Sequence, residues 1–199
     1  MVLPVARYRT NQKLDLSGIL FIELDNLEVL EGLDTNSIDC VYMDPPFKNN
    51  GEIYQGSGSD TEIKWRDLWT WDDVHDIWWD GIKSKYKAVA ACVESIRQTD
   101  PKQGAYAASM AARLLELKRV VKPNGVIVIH CDPDISHIWK NLCLAAIGPD
   151  SFISQVAWAR SKAHNDVKNG VKNFGSIQDC ILFFVNGKKS DKKLSLIHI

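Results

Sequence analysis

The chain has 199 residues, 45% of them hydrophobic, and a formal net charge of −1. That length suits one domain with ample material for a core, and the near-zero charge excludes a globally basic nucleic-acid binder while leaving room for a local basic face. Five cysteines without a C-x-x-C spacing, no signal peptide and no apolar run of membrane-spanning length are read as a cytoplasmic protein with reduced core thiols.

Residues 1–17 show no sustained period and read as an irregular lead-in. Gly18 to Leu24 is a candidate strand, and Asn26 to Leu33 a short helix with Leu27, Leu30 and Leu33 on one side. Asp25, at the junction, has two readings: a plain N-cap or a ligand contact at a strand's carboxyl end. Asp34-Thr35-Asn36-Ser37 is a turn.

Ile38 to Met43 is a short apolar run, read as a strand buried on both faces as in a parallel sheet. It stops at Asp44-Pro45-Pro46-Phe47. Neither proline can donate to a sheet ladder and each fixes its own φ, so the chain must leave as a stiff corner. Asp44 is thereby placed at the carboxyl end of the strand, where open α/β sheets bind ligands. No apolar periodicity claims Phe47 for the core. A flat heterocycle bearing an exocyclic amine suits such a corner: its face stacks on Phe47, and its N–H groups donate to the Asp44 carboxylate and the Pro45 carbonyl.

Residues 48–104 read as a Trp-rich insertion. Asn49, Asn50, Gly51, Gly56 and Gly58 mark a loop, and Gly56-Ser57-Gly58 lacks the strand and helix a phosphate cradle needs. Trp65, Trp69, Trp71, Trp78 and Trp79 follow among five aspartates. Packing onto the sheet is favoured over base stacking for them, because acidic neighbours repel phosphate. Asp72 or Asp73 is expected to cap a helix running to about Lys83.

Ala105 to Val121 is the clearest helix: Ala107, Met110, Ala111, Leu114, Leu117 and Val121 recur at helical spacing, with Arg113, Glu116 and Arg119 facing elsewhere. Lys122-Pro123-Asn124-Gly125 should stop it, and Val126 to Ile129 is a second apolar strand. Strand–helix–strand in this order predicts adjacent parallel strands, with Asp44 and His130 on one rim. His130-Cys131-Asp132 is not read as a metal site, since neighbours at one strand end point in different directions and no second ligand pair lies close; His130 and Asp132 are expected to shape the pocket rim. Asp134 should cap a helix to Ile147, closed by Gly148. Phe152 to Ala159 and Asp179 to Val185 are strands placed to pair antiparallel at the sheet's edge. Arg160, Lys162, Lys168 and Lys172 lie between them, either a solvated loop or a phosphate-contacting one.

Asp44-Pro45-Pro46-Phe47 resembles the catalytic motif of the DNA amino-methyltransferases, which methylate adenine N6 or cytosine N4. The stretches from Asp25 to Leu30, Leu115 to Gly125, His130 to Asp132 and Asn173 to Asp179 fit the same family, in the order of the subgroup whose catalytic motif lies near the N-terminus; the likeness runs from about Leu20 to Val185. It implies an α/β, Rossmann-like methyltransferase fold with a mostly parallel sheet and an antiparallel edge hairpin. It also implies S-adenosyl-L-methionine as cofactor, contacted by Asp25, Asp44, His130 and Asp132, with Asp44, Pro45, Pro46 and Phe47 catalytic. Double-stranded DNA would be the partner, touched by Arg160, Lys162, Lys168 and Lys172, alongside a restriction or homodimer partner and no membrane; the setting would be the cytoplasm of a bacterium or archaeon, or a phage genome.

An aspartate at the head of the motif points to adenine N6 more than cytosine N4. The alternatives are cytosine N4, an RNA or protein-amide substrate, and a non-catalytic DNA-binding subunit. The family's Gly-x-Gly cofactor turn has no counterpart here, so residues 1–199 are expected to form a single incomplete catalytic domain lacking the cofactor-binding half. Its core would be 18–47 and 105–185, with a tail, 186–199, non-native from about Leu194. On that expectation the chain alone is inactive.

Overall fold

The computed structural model describes residues 22–46, 52–55, 62–66, 70–71, 76–160 and 177–191. In order these are α1 (Asn26–Glu31), β1 (Ile38–Met43), β2 (Glu52–Gln55), β3 (Glu62–Arg66), α2 (Asp76–Lys85), α3 (Lys87–Thr99), α4 (Pro101–Val120), β4 (Val121–Cys131), α5 (Pro133–Ala146), β5 (Phe152–Ala159) and β6 (Gln178–Val185).

The main sheet has the order β1-β4-β6-β5, and β2 and β3 form a separate antiparallel pair. β1 runs parallel to β4, from Cys40 opposite Val126 to Met43 opposite Ile129, so the two apolar runs are neighbours and Asp44 and His130 share a rim. The edge hairpin is also as expected: β6 pairs antiparallel with both β4 and β5. The α/β architecture is therefore a mixed sheet, with α3, α4 and α5 packed together through Val93, Leu114, Ile138 and Trp139, all at 0% exposure.

Several local expectations are corrected. β1 is not buried on both faces: Asp39, Cys40 and Tyr42 are exposed, because β1 is the edge strand among the described residues. β4 begins at Val121, so Lys122-Pro123-Asn124-Gly125 lies inside the strand rather than between elements. The proline lacks a ladder donor, and the pairing with β1 slips between Ile38 and Cys40. Asn124 takes φ 65°, the left-handed region that asparagine tolerates. Asp132, not Asp134, caps α5, its carboxylate accepting from Asp134 N at 2.8 Å with Pro133 at the first helical position.

α4 begins at Pro101 rather than Ala105, because Asp100 accepts from the Lys102 and Gln103 amides at 3.0 and 3.1 Å. α3, within the stretch read as an insertion, buries Val89, Ala90 and Val93 in the common core. Trp79 is buried edge-to-face on Trp71, and Arg97 lies 3.7 Å over the Trp71 ring, which is packing rather than base stacking. The side chains of Trp65, Trp69 and Trp78 lie outside the described residues, as do Asp72 and Asp73; α2 starts at Asp76. Residues 18–21 of the first candidate strand are also outside them, and 22–24 are not a strand. No helix among the described residues is long and apolar enough to cross a membrane.

Gly104 sits where α4 crosses α3 so closely that a Cβ would stand 2.5 Å from Arg97 Cβ and 2.6 Å from its Cα. Gly104→Ala is therefore expected to destabilise the fold by about 1–3 kcal/mol through overpacking, more than the roughly 1 kcal/mol that alanine gains in helix propensity. Urea unfolding measures it; a raised midpoint would show that the helices part without cost.

Candidate active site

The site is a cleft of about 570 Å³ between β1, α1 and α4. Its floor is apolar, with Leu30, Met43, Met110 and Leu117, and its polar rim brings together Asp25, Asn26, Tyr42, Asp44 and Arg113. Asp44 follows β1 directly and is exposed; Pro45 is buried behind it and Pro46 exposed. The proline corner thus anchors itself by one ring and presents the carboxylate outward. Among the described residues Asp44 has no hydrogen-bond partner, so its acceptor capacity is open to a ligand. Phe47 lies outside the described residues.

Asp25 is the N-cap of α1: Oδ1 accepts from Leu27 N at 2.8 Å, and Oδ2 takes Arg113 Nη2 at 2.7 Å. The N-cap reading therefore holds, and the same residue lines the cleft. Arg113 was not singled out by its sequence position. Its guanidinium also donates through Nε to Asn26 Oδ1 at 2.8 Å and through Nη1 to Ser109 O and Oγ at 3.2 and 2.9 Å. Arg119 does the same at the other end of α1, donating to Leu30 O at 2.7 Å and Leu33 O at 2.8 Å. Two arginines six residues apart on α4 thus fix α1, and with it the orientation of Asp25. Helical spacing says only that such residues are not core; the carbonyls they hold come from elsewhere in the chain.

The cleft tests well against a sulfonium amino-acid cofactor. A cationic ligand with an apolar body needs a carboxylate beside apolar walls; Asp44 supplies that charge above the floor of leucines and methionines, while Asp25 is already paired with Arg113. His130 and Asp132, expected to contact the same cofactor, do not line this cleft. Asp132 is occupied as the α5 cap. His130 stands farther along the rim, its Nδ1 3.1 Å from Tyr42 Oη and its Nε2 3.3 Å from Asp179 Oδ2. Asp179, only 4% exposed, also accepts from Arg160 Nη1 at 3.1 Å. Arg160, placed on the DNA side by the sequence, therefore spends part of its fork on a buried carboxylate; Lys162, Lys168 and Lys172 lie outside the described residues.

Cys131 is fully buried, and burial together with Cys180, Asp132 and Asp179 pushes its thiol up to about 12. A thiol held protonated is neither nucleophile nor metal ligand. Among the described residues no group of three His, Cys, Asp or Glu side chains is placed to hold a metal ion.

Comparison with known proteins adds three findings. The DNA methylase model of N6- and N4-acting enzymes matches residues 38–198. The Mod subunit of the type III restriction-modification enzyme StyLTI from Salmonella typhimurium is 25% identical over 175 residues, covering 85% of this chain and 24% of that protein. Among solved structures, PvuII DNA methyltransferase (cytosine-N4-specific) aligns with a TM-score of 0.47 at 13% identity, over 81% of this chain and 47% of that one. The chain spans about a quarter of the length of the curated relative it matches.

Proposed function

The chain belongs to the DNA methylase family of N6- and N4-acting enzymes, and on that premise we propose that it carries the catalytic corner of a DNA methyltransferase acting on adenine N6. The observation that carries this reading is Asp44: a carboxylate without a protein partner among the described residues, set at the end of β1 on a cleft that also holds Asp25.

An exocyclic amine is a poor nucleophile because its lone pair is delocalised into the ring. Asp44 and the Pro45 carbonyl accept its two hydrogens, which favours a pyramidal nitrogen and turns the lone pair outward. S-adenosylmethionine, the family's cofactor, supplies an electrophilic methyl group when bound. Asp25, held by Arg113, and the apolar floor orient that ligand, so catalysis is positioning plus electrostatics with no covalent enzyme intermediate. A base stacked in duplex DNA cannot reach the rim of a sheet, so it is flipped out, and Phe47 is the platform on which it stacks. Arg160, Lys162, Lys168 and Lys172 are the cations assigned to the DNA backbone. A restriction partner fits this role, as the name of the StyLTI relative indicates for that protein.

Adenine is favoured over cytosine by the aspartate that heads the corner. The test supplies S-adenosylmethionine labelled in the methyl group, with unmethylated duplex DNA, to the protein. Digestion to nucleosides is expected to place the label in N6-methyldeoxyadenosine. Label in N4-methyldeoxycytidine would move the assignment to cytosine, and label in RNA or protein alone would overturn it.

A further inference from the structure

The rim of the sheet holds a second polar array that the corner itself does not use. Tyr42 on β1, His130 on β4 and Asp179 on β6 form a hydrogen-bonded line across three neighbouring strands, and Arg160 at the end of β5 closes it. Asp179 is buried, whereas Tyr42 is 60% exposed and lines the same cleft as Asp44. Asp44 lies one residue past the end of β1 and two from Tyr42, and both residues are exposed.

The chemistry of each partner fixes the direction of the line. A carboxylate only accepts, so Asp179 takes the Nε2 proton of His130. In the neutral ring that leaves Nδ1 as a lone pair, and the Tyr42 hydroxyl must donate to it. The free lone pairs of the Tyr42 oxygen then face outward as acceptors. If His130 is protonated the bond reverses: Nδ1 donates, and the Tyr42 O–H points away as a donor. The charge of one imidazole thus decides whether Tyr42 offers an acceptor or a donor to the cleft.

We propose that Tyr42 is a second proton acceptor for the target amine, held in its accepting state by His130 and Asp179, and that the proton shed after methylation leaves along this line. The inference rests on the amine-methylation reading above. In the step itself, the amine lone pair forms the new N–C bond while the old bond from the methyl carbon to sulfur breaks, its electrons staying on sulfur. The nitrogen then carries one proton too many. That proton passes to the Tyr42 oxygen as the Tyr42 hydroxyl proton passes to His130 Nδ1. The resulting imidazolium is stabilised against the Asp179 carboxylate and later loses its proton to water. At neutral pH an imidazole is a better base than a carboxylate, so Asp44 orients the amine and His130 takes up the proton in passing. Tyr42 is then the catalytic residue of the pair, and His130 and Asp179 position it. Tyr42 from β1 and Asp179 from β6 face His130, and Arg160 from the end of β5 is bonded to that same Asp179.

The test has two independent arms. Single-turnover methyl transfer to duplex DNA by the protein is followed against pH for the wild type, Tyr42→Phe and His130→Gln. The wild-type rate is expected to fall on the acid side as the imidazole is protonated. Both variants should lose about 10²-fold in rate and the acid limb with it, with the KM for DNA unchanged; a merely structural role would leave that limb in place. The second arm is ¹⁵N NMR of the histidines in the 199-residue chain without ligand, with His130→Gln assigning the resonance. A neutral ring protonated on Nε2 is expected, and protonation on Nδ1 would overturn the relay whatever the enzyme does. Wild-type rate and pH profile in both variants would overturn it too, leaving the methyltransferase reading intact. Absence of transfer to any base by the wild type would sink that reading and the relay with it.

Discussion

Asp44→Ala is expected to lower methyl transfer by at least about 10²–10³-fold, the range seen when one preorganised polar partner of a reacting group is removed. The effect should fall on the chemical step. Asp44 is exposed and has no hydrogen-bond partner among the described residues, so its removal strands no buried group and should change stability by no more than about 0.5 kcal/mol. DNA affinity should also persist, because backbone contacts from basic residues dominate it. Asp44→Asn sharpens the test: it keeps the shape and one carbonyl acceptor but loses the charge, and should fall between wild type and alanine. Retained turnover in Asp44→Ala would mean that the amine is held by other groups, and the catalytic assignment of the corner would be wrong.

What the sequence makes legible is what local chemistry decides. Two apolar runs, each ended by proline or by a polar cluster, specify β1 and β4 as parallel neighbours, and their ends bring Asp44 and His130 to one rim. The Asp132 cap was within reach, since proline prefers the first helical position and the residue before Pro133 is then the cap. The register of α3 is also present as Val89, Val93 and Ile96 at helical spacing, although the neighbouring tryptophans and loop-forming glycines make the stretch look like a single insertion. Other features depend on partners remote in sequence. Nothing near Arg113 or Arg119 announces that each will hold α1, more than 80 residues away. Nothing near Asp179 announces a buried carboxylate shared between His130 and Arg160. The exposure of Tyr42 follows from the edge position of β1, which is a property of the sheet and not of the strand.

The largest effect on stability is expected from Trp139→Ala. Trp139 on α5 and Tyr106 on α4 are both fully buried, their rings meet edge-to-face with centroids 6.4 Å apart, and the indole Nε1 donates to Tyr106 Oη at 3.0 Å. Truncation removes the largest fully buried side chain among the described residues, takes a hydrogen bond from Tyr106 and leaves a cavity between two helices. About 3–5 kcal/mol is the range for such a change, against a total of about 5–15 kcal/mol for a domain, so the variant should unfold near half the wild-type urea concentration or fail to fold. Trp139→Phe separates the contributions. It fills much of the cavity but loses the donor, and should cost about 1–3 kcal/mol. Tyr106→Phe leaves the indole N–H buried without its acceptor and should cost a similar amount. Because both changes break one bond, the double variant Tyr106→Phe/Trp139→Phe should cost less than the two single losses added together. Additive losses in that cycle would show that the two rings act only as volume, and that the hydrogen bond between α4 and α5 contributes nothing to holding the layer that supports the β1–β4 rim.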